Sequence, residues 1–288
     1  MCRRCCDWGK TTKRSRSWTA GREIRYETVG KELHDLLIAP IAHLLDRQKR
    51  LCLVPDGSLN ELPFAALISR QSGKYLIDEY ALTLAPSASV FVLRSESQSA
   101  RRGAERLLIA AVHSFDRERF PGLEDLSLAE REAKMIARLY PSSTLLLNEQ
   151  AGKQRILREM PAAQVIHLAT HGQADLAQPL RSKLIFPSAE SGSMLATEND
   201  FLQAFEIYSL RLPQTRIVAL SACETGFGQN RRGEGMMSLA RPFLAAGVPT
   251  VIASLWKAES GATSELMIRF HQQLTSAPLT ADESLRRA

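Results

Sequence analysis

From residue 106 onward, short apolar runs alternate with amphipathic segments, and that alternation limits the folds open to the chain. The runs are RLLIAAV (106–112), TLLL (144–147), AQVIHLAT (163–170), QTRIVALSA (214–222) and PTVIASLW (249–256). Each has strand length and reads as a strand buried on both faces. Between the first two, LSLAEREAKMIARLY (126–140) places Leu126, Ala133, Ile136, Ala137 and Tyr140 on one side of a helix. GKQRILREM, EGMMSLARPFLAAG and ATSELMIRFHQQL also read as helices; the second ends at Gly247 and carries Pro242 inside. Strands alternating with helices predict an α/β fold, a three-layer sandwich whose mainly parallel central sheet has helices on both faces. Upstream, YETVGKELHDLLIAPIAHLLDRQ has helical spacing with a break at Pro40, and LCLV forms a strand before a PDG turn. The polar stretch SESQSARRG (95–103) reads as an exposed loop.

Charge is distributed unevenly. Residues 1–25 hold eight Lys/Arg against two Asp/Glu, and the rest of the chain holds 29 of each. The net charge of +6 is therefore a property of the leader, and the folded body is expected to bind no nucleic acid. The reading divides the chain into a basic, disordered leader (1–22) and a folded domain (23–288). No run approaches the roughly 18 apolar residues of a membrane span. The start MCRRCCDWGKTTKRSRSW lacks the apolar core of a secretory signal. Cys2, Cys5 and Cys6 have no His or second Cys pair spaced to complete a zinc site, and Cys52 alternates with Leu51 and Leu53 as a small core residue. Five cysteines without a paired pattern predict a reducing compartment, hence a cytoplasmic protein with no membrane contact.

Two stretches carry the chemistry. VIHLATHGQAD (165–175) runs from a strand into His171 and Gly172, and ALSACETGFG (219–228) runs from a strand into Cys223. In parallel sheets ligands and catalytic groups gather at the carboxyl ends of the strands, so two adjacent strands would bring both residues into one cleft. A thiol with a reference pKa of about 8.5 needs a nearby base to become an effective nucleophile. His167 lies mid-strand and reads as a supporting core residue. HLATH is not a zinc motif, because that motif needs a helix and a Glu after the first His, where this chain has Leu168 in a strand. GFGQNRRGEG matches neither phosphate-binding glycine pattern and reads as a loop before a helix.

Taken with GEGMMSLARPFLAAGVPTVIASLW and VPDGSLNELPFAAL, the stretches HLATHGQAD and LSACETGFG resemble CHAT domains, caspase-like domains related to separase. The resemblance covers residue 30 or so to the end. It implies a caspase-haemoglobinase-like fold and a cysteine endopeptidase, with His171 as general base and acid and Cys223 as nucleophile. The backbone N–H groups of Gly172 and Cys223 would form the oxyanion hole. It implies no metal and no organic cofactor. The expected partners are a protein or peptide substrate and a regulatory sensor or helical-repeat protein. Glu224, Glu259 and Asp175 are candidate substrate-binding carboxylates. The family often has Asp four residues after the Trp of SLW, where this chain has Ser260 preceded by Glu259, so Glu259 is the candidate for holding a basic residue before the scissile bond. Family members usually continue into a final aromatic-rich strand; this chain stops at ESLRRA, and the reading expects that strand to be missing. Two other functions fit the residues. One is a catalytically silent caspase-like interaction module. The other is an acyl hydrolase of the α/β-hydrolase type with His271 as base, although neither Ser221 nor Thr225 is the glycine its nucleophile elbow requires.

Overall fold

The computed structural model describes residues 26–98, 105–175, 177–187, 195–222, 237–254 and 259–288. The leader, Cys223 with the whole glycine-rich stretch 226–235 after it, and the Trp of SLW lie outside these residues. The chain opens with α1 (Tyr26–Leu37), which a 3-10 turn containing Pro40 ends, then β1 (Arg50–Leu53), α2 (Leu76–Glu79), β2 (Ala81–Leu84) and α3 (Ala88–Gln98). There follow β3 (Arg106–Ala111), α4 (Ala129–Ala137), β4 (Ser142–Leu147), α5 (Lys153–Glu159) and β5 (Val165–Ala169). Three short strands come next, β6 (Gly172–Gln173), β7 (Lys183–Ile185) and β8 (Phe201–Gln203), and then α6 (Ala204–Tyr208). The remaining elements are β9 (Ile217–Ser221), α7 (Met237–Ala245), β10 (Thr250–Ala253), α8 (Ser260–Ser276) and α9 (Ala281–Arg287). The described part of the stretch read as a polar loop, residues 95–98, is the end of α3.

The central sheet has five strands in the order β10-β9-β5-β3-β4, and every neighbouring pair is parallel. Side chains alternate across it, as the two-residue period of a strand requires. Leu108, Ala110, Ile166, Leu168, Val218 and Leu220 pack with Ile156 of α5, Ile207 of α6 and Phe243 of α7. Leu107, Ile109, Ala111, Val165, Ala169, Ile217 and Ala219 pack on the other face with Ala133 and Ile136 of α4 and Ile268 and Phe270 of α8. These two buried clusters make the three layers of an α/β sandwich. α7 keeps Pro242 inside it. It closes with Val248 N–H donating to the Phe243 carbonyl, over Gly247 at φ 108°, a backbone conformation open to glycine.

Two smaller sheets stand beside the main one. β1 and β2 pair in parallel over a third cluster built around Phe64, Leu67, Leu76 and Tyr80. β6, β7 and β8 pair antiparallel, starting at Gly172. Among the described residues no helix is long and apolar enough to cross a membrane.

Candidate active site

The order of the strands makes a crevice. From β3 the chain runs through α4 to β4 on one side, then returns past β3 to β5 on the other. The segment after β3 leads to α4 on one face, and the segment after β5 leads to α6 on the opposite face. Two loops leaving adjacent strand ends toward opposite faces open a cleft at the carboxyl edge, the place where open α/β sheets bind ligands.

His171 follows at that edge, two residues beyond the end of β5, and is buried. Its Nε2 is 2.7 Å from the carbonyl oxygen of Glu124, in the loop between β3 and α4. A carbonyl oxygen only accepts, so Nε2 carries a hydrogen, and in the neutral ring the lone pair is on Nδ1. The Phe115 ring packs against the imidazole at 4.8 Å between centroids. The His171 carbonyl accepts from Ile185 N–H, and Thr170 donates its hydroxyl to the Ile185 carbonyl, so β7 holds the backbone on both sides. Gly172 follows, buried, as the first residue of β6. On the neighbouring strand, Ala169 pairs with Ser221, and the Ala222 carbonyl accepts the Ser254 hydroxyl at 3.1 Å. Cys223 and Glu224 lie outside the described residues.

The loop that presents Glu124 is tied down along its length. Val112 N–H bonds the Ala169 carbonyl, Leu126 N–H bonds the His113 carbonyl, and the Asp125 carboxylate accepts from Phe115 N–H. Asp116 folds the loop back by accepting from Glu118 and Arg119 N–H groups. Nothing in the residue types announces the Glu124 contact, because it is made by a backbone oxygen.

The two remaining candidate carboxylates have backbone partners. Asp175 is half-buried and accepts from Ala177 N–H at 3.0 Å and Gln178 N–H at 2.8 Å, closing an Asx-type turn. Glu259 is exposed and caps α8, accepting from Gly261 and Ala262 N–H at 2.9 and 2.7 Å. Both side chains shape backbone before they meet any substrate.

His271 is not at the strand ends. It is fully buried on α8, with Nδ1 2.7 Å from the Tyr140 hydroxyl and Nε2 3.2 Å from His167 Nδ1. His167 Nε2 is 2.8 Å from the Glu132 carboxylate. Both imidazole nitrogens of His271 are engaged in the core, against the middle of β5, which leaves it no role as a hydrolase base. His167 is the supporting core residue its position suggests. The signal that the sequence reading passed over is Glu132, a charge three residues after Ala129 and four before Ile136, hence on the apolar side of α4.

Burial, reinforced by His167 and Arg216, holds the His271 imidazolium form well below its ordinary range. Unfolded chains therefore bind a proton at this position below about pH 6.5 that the native state refuses, and stability falls as pH drops. The unfolding free energy of wild type relative to His271→Phe is expected to decline between pH 7 and 5, approaching about 1.4 kcal/mol per pH unit at the acid end. Urea titrations of both proteins at a series of pH values check this; parallel pH profiles would refute it.

The model of the CHAT domain family matches residues 27–288. Tetratricopeptide repeat protein 28 of Homo sapiens is 26% identical over an alignment covering 85% of this chain and 11% of that protein. Its Mus musculus counterpart is 25% identical over 96% of this chain and 13% of its own length. The chain thus spans about one tenth of the curated relatives it matches. Among solved structures, the Arg-specific cysteine proteinase gingipain R aligns at 12% identity with a TM-score of 0.48, over 87% of this chain and 57% of that one. With the family model matched from α1 to the last residue, the chain belongs to the CHAT domain family.

Proposed function

We propose that this domain is a cysteine endopeptidase in which His171 and Cys223 form the catalytic dyad. The observation that carries this reading is the strand register. β5 and β9 pair residues 52 apart, and His171 and Cys223 are themselves 52 apart, each two residues past the end of its strand. The Glu124 carbonyl adds support, since it leaves Nδ1 of a buried imidazole as the proton acceptor.

The chemistry follows from those groups. Nδ1 takes the Cys223 proton and the thiolate attacks the peptide carbonyl carbon. The negative oxygen that develops is held by the N–H groups of Gly172 and Cys223. Collapse of the tetrahedral adduct breaks the C–N bond as Nδ1–H protonates the leaving amine, and water then cleaves the thioester with the imidazole acting as base. The substrate is a protein or peptide, with Glu224, beside the nucleophile, as the remaining candidate for contacting it. The name of the curated relatives supports a helical-repeat segment as regulatory partner.

Labelling with iodoacetamide at pH 7, read by intact mass, tests the dyad. Wild type is expected to gain one adduct far faster than the rest, and Cys223→Ala to lose that adduct alone. Labelling of Cys223 no faster than Cys2, Cys5 and Cys6 would instead favour the silent interaction module.

A further inference from the structure

We propose that the ion pair between Arg119 and Asp200 is a positioning device for His171, setting the Glu124 carbonyl against the imidazole. The proposal rests on the dyad assigned above. Arg119 lies in the loop after β3, five residues before Glu124, and its Nη2 donates to Asp200 Oδ1 at 2.6 Å. Asp200 is fully buried, and Arg119 is largely so. The other Asp200 oxygen accepts from Thr197 N–H at 2.7 Å and from the Thr197 hydroxyl at 3.2 Å, fixing the turn before β8.

These contacts close a circuit around the imidazole. His171 leads through Gly172 of β6 to Leu184 of β7, and Ile185 of β7 pairs with Phe201 of β8, next to Asp200. From Asp200 the circuit crosses the ion pair to Arg119 and runs along the loop to Glu124, whose carbonyl meets His171 again. An aromatic row runs inside it: Phe201 meets Phe120 edge to face at 6.5 Å, Phe120 meets Phe115 at 6.2 Å, and Phe115 covers His171. The apolar row sets the spacing between loop and sheet but carries no direction along the loop. A guanidinium–carboxylate bond does, because its hydrogen-bond geometry tolerates little displacement. Release of that bond frees the segment around Arg119 to shift against β8, and the Glu124 carbonyl five residues on shifts with it. Displacements of about 1 Å at a positioning contact cost on the order of a hundredfold in rate.

Arg119→Met, Arg119→Lys and Asp200→Asn separate positioning from general damage, with Arg50→Met as control. Arg50 pairs with Asp282 of α9 and makes no part of the circuit. For each folded variant, the pH–rate profile of Cys223 alkylation by iodoacetamide is measured. In parallel, exchange of the His171 Nε2–H proton is followed by nitrogen-15 NMR. Arg119→Met and Asp200→Asn are expected to slow alkylation at pH 7 by tenfold or more while leaving the rate above pH 9 unchanged. Their Nε2–H exchange is expected to accelerate, Arg119→Lys to recover part of both effects, and Arg50→Met to change neither. Wild-type alkylation and wild-type exchange in folded Arg119→Met and Asp200→Asn would overturn the proposal. Unreactive Cys223 in wild type would refute the dyad, and the Nε2–H exchange would then still decide whether the ion pair holds His171.

Discussion

Glu132→Ala is expected to lower the unfolding free energy by about 2–3 kcal/mol, the cost of leaving a buried donor without the carboxylate that accepted from it. Glu132 is 3% exposed and His167 is 0% exposed. Their bond is the end of a chain of buried hydrogen bonds in which each imidazole donates from Nε2 and accepts at Nδ1. Tyr140 donates its hydroxyl to His271, His271 donates to His167, and His167 donates to the Glu132 carboxylate. Burial holds the Tyr140 phenol far above its ordinary range, so it remains a donor. The direction of the whole chain is set by the carboxylate at its end, the one member that only accepts. Removing it leaves the His167 Nε2–H without the acceptor it has in this buried site. Glu132→Gln keeps an acceptor oxygen and exchanges a charge-assisted bond for a neutral one, so its cost is expected to be nearer 1 kcal/mol. Urea denaturation of the two variants checks the difference, read as a midpoint shift at unchanged slope. Equal losses for both would mean that the packing of α4, not the carboxylate, carries the stability.

His171→Ala is expected to slow Cys223 alkylation at pH 7 by roughly 30-fold, set by the thiolate fraction that remains, and hydrolysis of any peptide substrate by about 10²–10⁴-fold, the usual contribution of a positioned general base and acid. Without the imidazole, Cys223 reverts to a thiol with a pKa near 8.5 and is a few per cent ionised at neutral pH. The alkylation rate of the variant should then climb tenfold per pH unit up to about pH 8, whereas the wild-type rate is expected to be flat in that range. Glu124→Ala, by contrast, should leave the rate unchanged, since His171 uses the backbone oxygen of that residue and not its side chain. A variant His171→Ala with a flat, fast wild-type profile would remove the imidazole from the mechanism.

Much of the fold was legible without coordinates. Strand runs that are apolar on both faces can only be satisfied between two layers, so the parallel sheet and its helices follow from the alternation alone. The ends of β5 and β9 likewise follow from where polar, glycine-bearing segments interrupt apolar runs. The short strands β6, β7 and β8 were not legible, because two or three residues carry no period.

Residue type and spacing therefore determined the layers and the two strands, β5 and β9, that the candidate residues His171 and Cys223 follow in the chain. The tertiary structure alone decided which atoms meet. It gave Asp175 and Glu259 to backbone amides. It put His271 in a core chain with Tyr140 and His167, and it set His171 on the carbonyl of Glu124, 47 residues earlier. The reason is physical. Burial is written in the local period of a sequence, since each residue faces in or out with its neighbours. A hydrogen bond across tens of residues, above all one to a backbone oxygen, depends on distances that no local pattern encodes.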